Sequence, residues 1–282
     1  MMAKGEQNLL AMSAATPMNL TRLPPILDEK HYGEASTFTP QNLLREARRQ
    51  KAIAETAVPP VCVLDPDGDL VRRLKSNGRA RLDPSWSCYH TELYRLVQDG
   101  LEFGLVGCAV GASFAVLVAE QLFACGCRLL LSLTSAGQIT PAGNPPYFVI
   151  IDRALRDEGT SYHYAAPSEY GEADPRLVKL ALAALEREGL HAVAGSSWTT
   201  DAPFRETAGA IEAAQSKGVL AVEMEAAALY SFANSTSARV LCLAHVTNTM
   251  GQTGHDFEKG EADGTADALR ILEAIVRSSL VS

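Results

Sequence analysis

The sequence predicts an α/β layered domain, and three observations carry that reading. Short apolar runs rich in valine, isoleucine and leucine recur from residue 58 onward, most without strict alternation. Strands covered on both faces have that texture. Helical patterns with capping residues lie between several of these runs. Apolar residues make up 47% of the 282 and charged residues 21%, which is enough to form a sizeable core.

Residues 1–38 show no period and are punctuated by Pro24, Pro25 and Gly33, so they read as loosely ordered. Thr39 as a cap and Pro40 in the first turn open a helix that runs to about Glu55. Its basic run (Arg45, Arg48, Arg49, Lys51) reads as a solvated face. Strands are expected at 61–64, 101–109, 128–133, 147–151, 219–222 and 239–246. A helix over 112–125 stops at Gly126. Asp174 and Pro175 start another, with Val178, Ala181, Leu182 and Leu185 as its apolar stripe and Gly189 past its end. Helices over 223–233 and 264–280 complete the pattern. No linker divides 58–282, so residues 1–57 read as an N-terminal extension with one helix and 58–282 as one domain.

Charge excludes some functions. With 33 acids against 25 bases the formal net charge is −8 and the pI 5.3. Such a chain is a poor partner for nucleic acid or an anionic membrane. No apolar run approaches the roughly 20 residues of a membrane span. The first 18 residues lack the basic start and apolar stretch of a secretory signal, so a cytoplasmic location is expected. The six cysteines fit reduced thiols, and Cys125 and Cys127 have no second close pair to complete a zinc site.

The most informative stretch is Val219-Leu-Ala-Val-Glu-Met-Glu-Ala-Ala-Ala-Leu-Tyr230. A buried strand leads into a helix whose first turn carries Glu223 and Glu225. Acids are favoured there by the helix dipole. Residues two apart on a helix point to nearly opposite sides, so one glutamate is expected to face inward if the other is solvated. An inward carboxylate beside an apolar strand needs hydroxyl or cationic partners, and a sugar diol would serve.

Val222-Glu-Met-Glu-Ala-Ala-Ala-Leu-Tyr230 resembles the ribose-binding signature of the nucleoside phosphorylase superfamily, in the branch of uridine phosphorylase, hexameric purine nucleoside phosphorylase and the methylthioadenosine nucleosidases. Thr134-Ser-Ala-Gly-Gln-Ile139 resembles its phosphate or water loop, and Gly107-Cys-Ala-Val-Gly-Ala-Ser113 its earlier glycine turn. Arg153 to Tyr164 and Thr199 to Thr207 are similar to uridine-phosphorylase-like members. The resemblance spans residues 58–282. It implies a three-layer α/β/α domain with a mixed central sheet, working as a homo-dimer or a hexamer of dimers. It implies cleavage of the N-glycosidic bond of a nucleoside, uridine-like by preference, with inorganic phosphate as co-substrate and no metal or organic cofactor. Glu225, Met224 and Glu223 would hold the ribose, with His90 at its 5′ end. Phe204, Arg205 and Asn248 would meet the base. Thr134, Ser135, Gly137, Gly107 and Gly111 would place phosphate or water. Glu225 and Asn248 would be catalytic. At position 248 an aspartate protonates the purine in the purine branch; asparagine donates a hydrogen bond but cannot deliver a proton, which suits bases that leave as delocalised anions.

The phosphate arginines of the family are missing. Leu64-Asp-Pro-Asp-Gly68 stands where the family has Gly-Asp-Pro-Asp-Arg; Leu131 and Ser132 occupy a second arginine region, and Asp83 to Trp86 a third. Arg72 or Arg73 could substitute, or the 107–113 turn and Ser135 could cradle the anion. Otherwise water replaces phosphate, a nucleotide brings its own, or the chain binds nucleosides without turnover.

Overall fold

The computed structural model describes residues 23–250 and 256–281. Helix α1 (Pro40–Lys51) starts as its sequence dictates, with the Thr39 hydroxyl accepting from the Asn42 N–H at 3.2 Å. It stops before Glu55 because Ala52 turns left-handed, φ 53°. In chain order there follow β1 (Val61–Asp65), α2 (Asp69–Ser76), β2 (Ala80–Leu82), β3 (Tyr94–Gln98), β4 (Leu101–Gly107) and α3 (Ala112–Ala124). Next come β5 (Leu129–Gln138), β6 (Tyr147–Asp157), β7 (Tyr170–Glu172), α4 (Pro175–Arg187) and β8 (Val193–Thr200). The remainder is α5 (Ala208–Ser216), β9 (Ala221–Glu223), α6 (Ala226–Thr236), β10 (Val240–Asn248) and α7 (Thr265–Val281). Every expected strand and helix is present, and β2, β3, β7, β8, α2 and α5 are added.

The sheet is mixed. Its order is β10-β6-β8-β9-β5-β1-β4-β3-β2, and β10 also pairs with β5. The strands β5, β10, β6, β8 and β9 therefore close on themselves, while β1, β4, β3 and β2 extend from β5 as an open wing. Parallel pairing of β1 with both β4 and β5 brings the C-terminal ends of these strands to one edge. The turns after β1 and β4 meet there, and β5 runs beside them. At such an edge an open α/β sheet binds ligands.

Helices cover both faces. Leu44 of α1, Val116 and Leu122 of α3, and Leu229 and Phe232 of α6 bury into one core with Leu64, Leu130 and Ile151 of the sheet. Leu70 and Leu74 of α2, Leu177 and Leu185 of α4, and Ile271 and Leu272 of α7 bury into the other with Val63, Leu131 and Leu243. The result is the three-layer arrangement expected. Helix α1, inside the N-terminal extension, packs into the first core. Among the described residues no helix is long and apolar enough to cross a membrane. Nor, among them, do three His, Cys, Asp or Glu residues group so as to hold a metal ion. Of the six thiols, all free, Cys108 alone is exposed.

Tyr230 locks α6 to the sheet. Its hydroxyl donates to the Ile151 carbonyl at 2.5 Å and accepts from the Cys242 N–H at 3.0 Å. Tyr230→Phe leaves both backbone groups buried and unpaired. We expect a loss of about 2 kcal/mol, read as a fall of roughly 5 °C in melting temperature.

Candidate active site

The junction between β9 and α6 holds the two glutamates. Glu223 ends the strand and α6 begins only at Ala226, so neither glutamate lies in a helical turn, and both are buried. The expectation of one inward and one solvated side chain is thereby corrected. In this junction the side chains are not separated by a helical rotation.

Glu223 is consumed by the protein's own donors. One oxygen accepts from Ser197 Oγ at 2.9 Å and Thr199 Oγ1 at 2.5 Å, both on β8. The other accepts from the N–H groups of Glu225 and Ala226 at 2.7 Å each, which satisfies the opening of α6. Thr199 Oγ1 also accepts from the Ala227 N–H at 2.9 Å. Glu223 has no lone pair left for a sugar, so the ribose contact expected of it does not fit this geometry.

Glu225 is different. Its Oε1 accepts from the Gly111 N–H at 2.7 Å, while Oε2 is buried without a well-formed partner. Gly111 holds φ 89°, a conformation glycine adopts readily, and so presents its N–H at the start of α3. Burial pushes the Glu225 carboxyl up to about 8; the Glu223 charge adds to the rise, and the Gly111 N–H and Thr134 hydroxyl oppose it. Burial likewise raises Glu223, opposed by the Thr199 hydroxyl, the Ala226 and Glu225 N–H groups and the Ser197 hydroxyl. Met224, between the two, is half-buried.

Strand β5 runs beyond the end of β1 through Thr134, Ser135 and Gly137, still paired with β10, so the segment expected as a loop is strand. The Ser135 N–H donates to Asp67 Oδ2 at 2.6 Å, across from the turn that follows β1. In the same turn Asp65 accepts from the Val71 N–H at 2.9 Å, and burial pushes its carboxyl up to about 7. Gly107 ends β4 against this turn: a Cβ there would lie 3.2 Å from Val71 and 3.5 Å from Gly68. Of the glycine-bearing segments at 65–68, 107–111 and 134–137, the last two meet Glu225, through the Gly111 N–H and the Thr134 hydroxyl, and the 65–68 turn is joined to the last through Asp67 and Ser135. Asn248 closes the far side at the end of β10. Its Nδ2 donates to Thr247 Oγ1 at 3.2 Å, and its Oδ1 accepts from the Met250 N–H at 2.9 Å. The Met250 thioether lies over Gly137 and Val222.

Residues 60–277 match the family model described as "Phosphorylase superfamily". The chain belongs to the phosphorylase superfamily. It is 26% identical over 201 residues to a uridine phosphorylase of Thermococcus kodakarensis, covering 65% of this chain and 70% of that one. Among solved structures it resembles Toxoplasma gondii purine nucleoside phosphorylase in complex with immucillin-H, with a TM-score of 0.65, 14% identity and coverage of 80% of this chain and 90% of that one. It also resembles Vibrio fischeri uridine phosphorylase complexed with 6-hydroxy-1-naphthoic acid, with a TM-score of 0.65, 18% identity and coverage of 80% and 92%. These two likenesses establish the fold.

Within this phosphorylase-superfamily chain, Glu225, Thr134, Ser135, Gly137, Gly107, Gly111, Met224 and Asn248 converge on one edge of the sheet. Others do not. Phe204 is 99% exposed and Arg205 is exposed too, on the turn Pro203–Arg205. Phe204 therefore packs into no core in this chain. Asp201 on the same loop accepts from the Gly159 N–H at 2.8 Å and holds the loop. His90 is exposed, edge-on to Phe114 in the first turn of α3 at 6.4 Å. His31 pairs with Glu34, and His163 meets Lys30 at 3.2 Å, both at the surface. His245 stacks on Phe148 at 4.4 Å, and burial lowers its pKa to about 4. His255 lies outside the described residues.

Sequence reasoning did not single out two charged residues at this edge, Asp67 and Lys259. Asp67 was visible only as part of a degraded phosphate motif. Lys259 forms an ion pair with Asp69, 190 residues away in sequence, and no local pattern signals it.

Proposed function

We propose that this chain cleaves the N-glycosidic bond of a nucleoside by pentosyl transfer. The observation that carries the reading is Glu225: a buried carboxyl with one oxygen fixed by the Gly111 N–H and the other, with the Thr134 hydroxyl nearby, lacking a well-formed bond. A ribose diol supplies the two donors such a group lacks. Those donors favour the ionised form and so draw the proton off Glu225 as the substrate binds. The resulting carboxylate sits where positive charge grows on the sugar as the base departs. Met224 packs on the ribose. Asn248 offers an amide hydrogen but no proton, which matches a base that leaves as a delocalised anion, with uracil the first choice. Phe204 and Arg205 would reach such a base only if the turn 203–205 folds inward or a second copy covers it.

Phosphate is the first acceptor to consider, on the strength of the similarity to uridine phosphorylase; the products are then free base and ribose 1-phosphate. A second reading, with water as acceptor, is favoured by one observation: Asp67 already sits on the Ser135 N–H. We read the working unit as a homo-dimer or a hexamer of dimers in the cytoplasm, without metal or organic cofactor.

The test is a product assay on uridine, thymidine, cytidine, inosine, guanosine, adenosine and their monophosphates, with and without inorganic phosphate. Release of free base from at least one nucleoside is expected, uridine foremost. Ribose 1-phosphate formed only with phosphate assigns phosphorolysis; free ribose at a phosphate-independent rate assigns hydrolysis. No turnover of any substrate, with nucleoside binding that Glu225→Ala abolishes, would overturn cleavage in favour of a binding protein.

A further inference from the structure

We propose that Asp67 is a tethered anion that sits on the Ser135 N–H and competes there with inorganic phosphate, setting how weakly the site takes an external oxyanion. The inference rests on reading the Thr134 to Gly137 segment as the nucleophile's seat.

Four features of the structure converge on it. The Asp67 carboxylate accepts from the Ser135 N–H at 2.6 Å, a short charge-assisted bond made across 68 residues of sequence. That N–H is one of the few donors at the seat an incoming phosphate oxygen could use. The cations nearby are spent. Arg72 donates to the Asp67 carbonyl at 2.9 Å and is paired with the Asp69 carboxylate; Lys259 is paired with Asp69 as well. Arg72 does swing back to the turn, as the missing arginine at 68 invites. A Cβ on Gly68 would lie 2.9 Å from Arg72 Nη1 and 2.6 Å from Cys108 Sγ, and Gly68 holds φ 75°. The guanidinium thus takes the space a side chain at 68 would need, but it is turned onto the turn's own acceptors.

Space and charge agree. The cavity lined by Asp65, Asp67, Asp69, Ser135, His245 and Thr265 measures about 20 Å³. About 10–15 Å³ admits one water, so this enclosed space beside Ser135 has room for a water. Asp69 is already paired with Arg72 and Lys259, so the charge a dianion meets at this seat is that of Asp67, where the family resemblance supplies a guanidinium nearby. A tethered carboxylate also has the advantage of proximity: its effective concentration at the Ser135 N–H far exceeds that of free phosphate.

The test measures phosphate binding directly by titration calorimetry on the unliganded wild type, Asp67→Asn and Asp67→Ser. Asparagine keeps the shape and removes the charge; serine vacates the seat. Wild type is expected to bind phosphate with Kd of about 10 mM or weaker, and both variants at least about tenfold tighter, a change of 1.4 kcal/mol. A carboxylate that only braces the turn would instead lower the melting temperature without any gain in phosphate binding. That outcome overturns the proposal, as does micromolar phosphate binding by wild type. Should Asp67→Ser fail to fold, the near-isosteric Asp67→Asn decides by charge alone. Calorimetry needs no turnover, so a chain that cleaves no nucleoside would sink the proposed function and leave this comparison standing.

Discussion

Glu225→Gln is expected to lower kcat/KM on the best nucleoside by about 10²- to 10³-fold, the usual cost of removing one preorganised group aimed at developing charge. The fold should survive. Glutamine keeps the carbonyl that accepts from the Gly111 N–H, and its amide takes the place of the unpartnered Oε2. The pH dependence separates a direct role from a packing role. Burial and the Glu223 charge hold the Glu225 pKa near 8, so at neutral pH the free protein carries a proton there. The carboxylate that balances sugar charge is the deprotonated form, so wild-type kcat/KM should rise with pH and level off above about 8. In Glu225→Gln that limb should vanish. Stability runs the other way. The folded-state pKa lies above the ordinary carboxyl value of 4.5, so the folded chain binds the proton more tightly than the unfolded one. Stabilisation from this group is complete below 4.5 and is lost as pH climbs through about 8. A melting-temperature series should therefore decline less for Glu225→Gln than for wild type across that window. Unchanged kcat/KM and an unchanged pH limb in Glu225→Gln would remove this residue from the chemistry.

Much of this fold was legible because its central strands are apolar throughout. The runs at 61–64, 128–133 and 239–246 announce buried strands from composition alone, and Thr39, Asp174 and Pro175 mark helix starts. Strand β8 escaped for a physical reason. Val-Ala-Gly-Ser-Ser-Trp-Thr-Thr is short of apolar residues because its inward hydroxyls serve Glu223 instead of a hydrophobic core. The edge strand β2 and its neighbour β3 escaped because Arg81 and Arg95 face partly outward and break the apolar texture. The site was half legible. The Glu-Met-Glu stretch pointed to the junction where both buried glutamates lie, but local reasoning assigned both to a helix. Which glutamate stays free is decided by Ser197, Thr199 and Gly111, which lie 24 or more residues away in sequence. Asp67 illustrates the same limit: the loss of an arginine could be read, but the carboxylate's arrival on the Ser135 N–H could not.

Replacing Glu223 should damage the protein more than replacing Glu225, despite the weaker claim of Glu223 on substrate. Four donors converge on its carboxylate from β8 and from the start of α6. In Glu223→Ala the N–H groups of Glu225 and Ala226 lose their acceptor in a site closed to water. Each buried donor left unpaired costs about 1–3 kcal/mol, so a loss of at least about 3 kcal/mol is expected. By thermal melting that is a fall of roughly 10 °C. Glu223→Gln should cost much less. Its carbonyl can keep the two backbone donors, and the Ser197 hydroxyl can rotate to accept from the new amide. Thr199 is less free to do so, because its Oγ1 already accepts from the Ala227 N–H. The conservative variant also tests the coupling between the two acids. It removes one negative charge from beside Glu225, and that charge is among the causes of the raised pKa. The limb of the kcat/KM profile should therefore move to lower pH in Glu223→Gln, while Glu225 still titrates. A limb that stays in place would mean that burial alone sets the Glu225 pKa. Glu223 would then be a brace for the β9–α6 junction and nothing more.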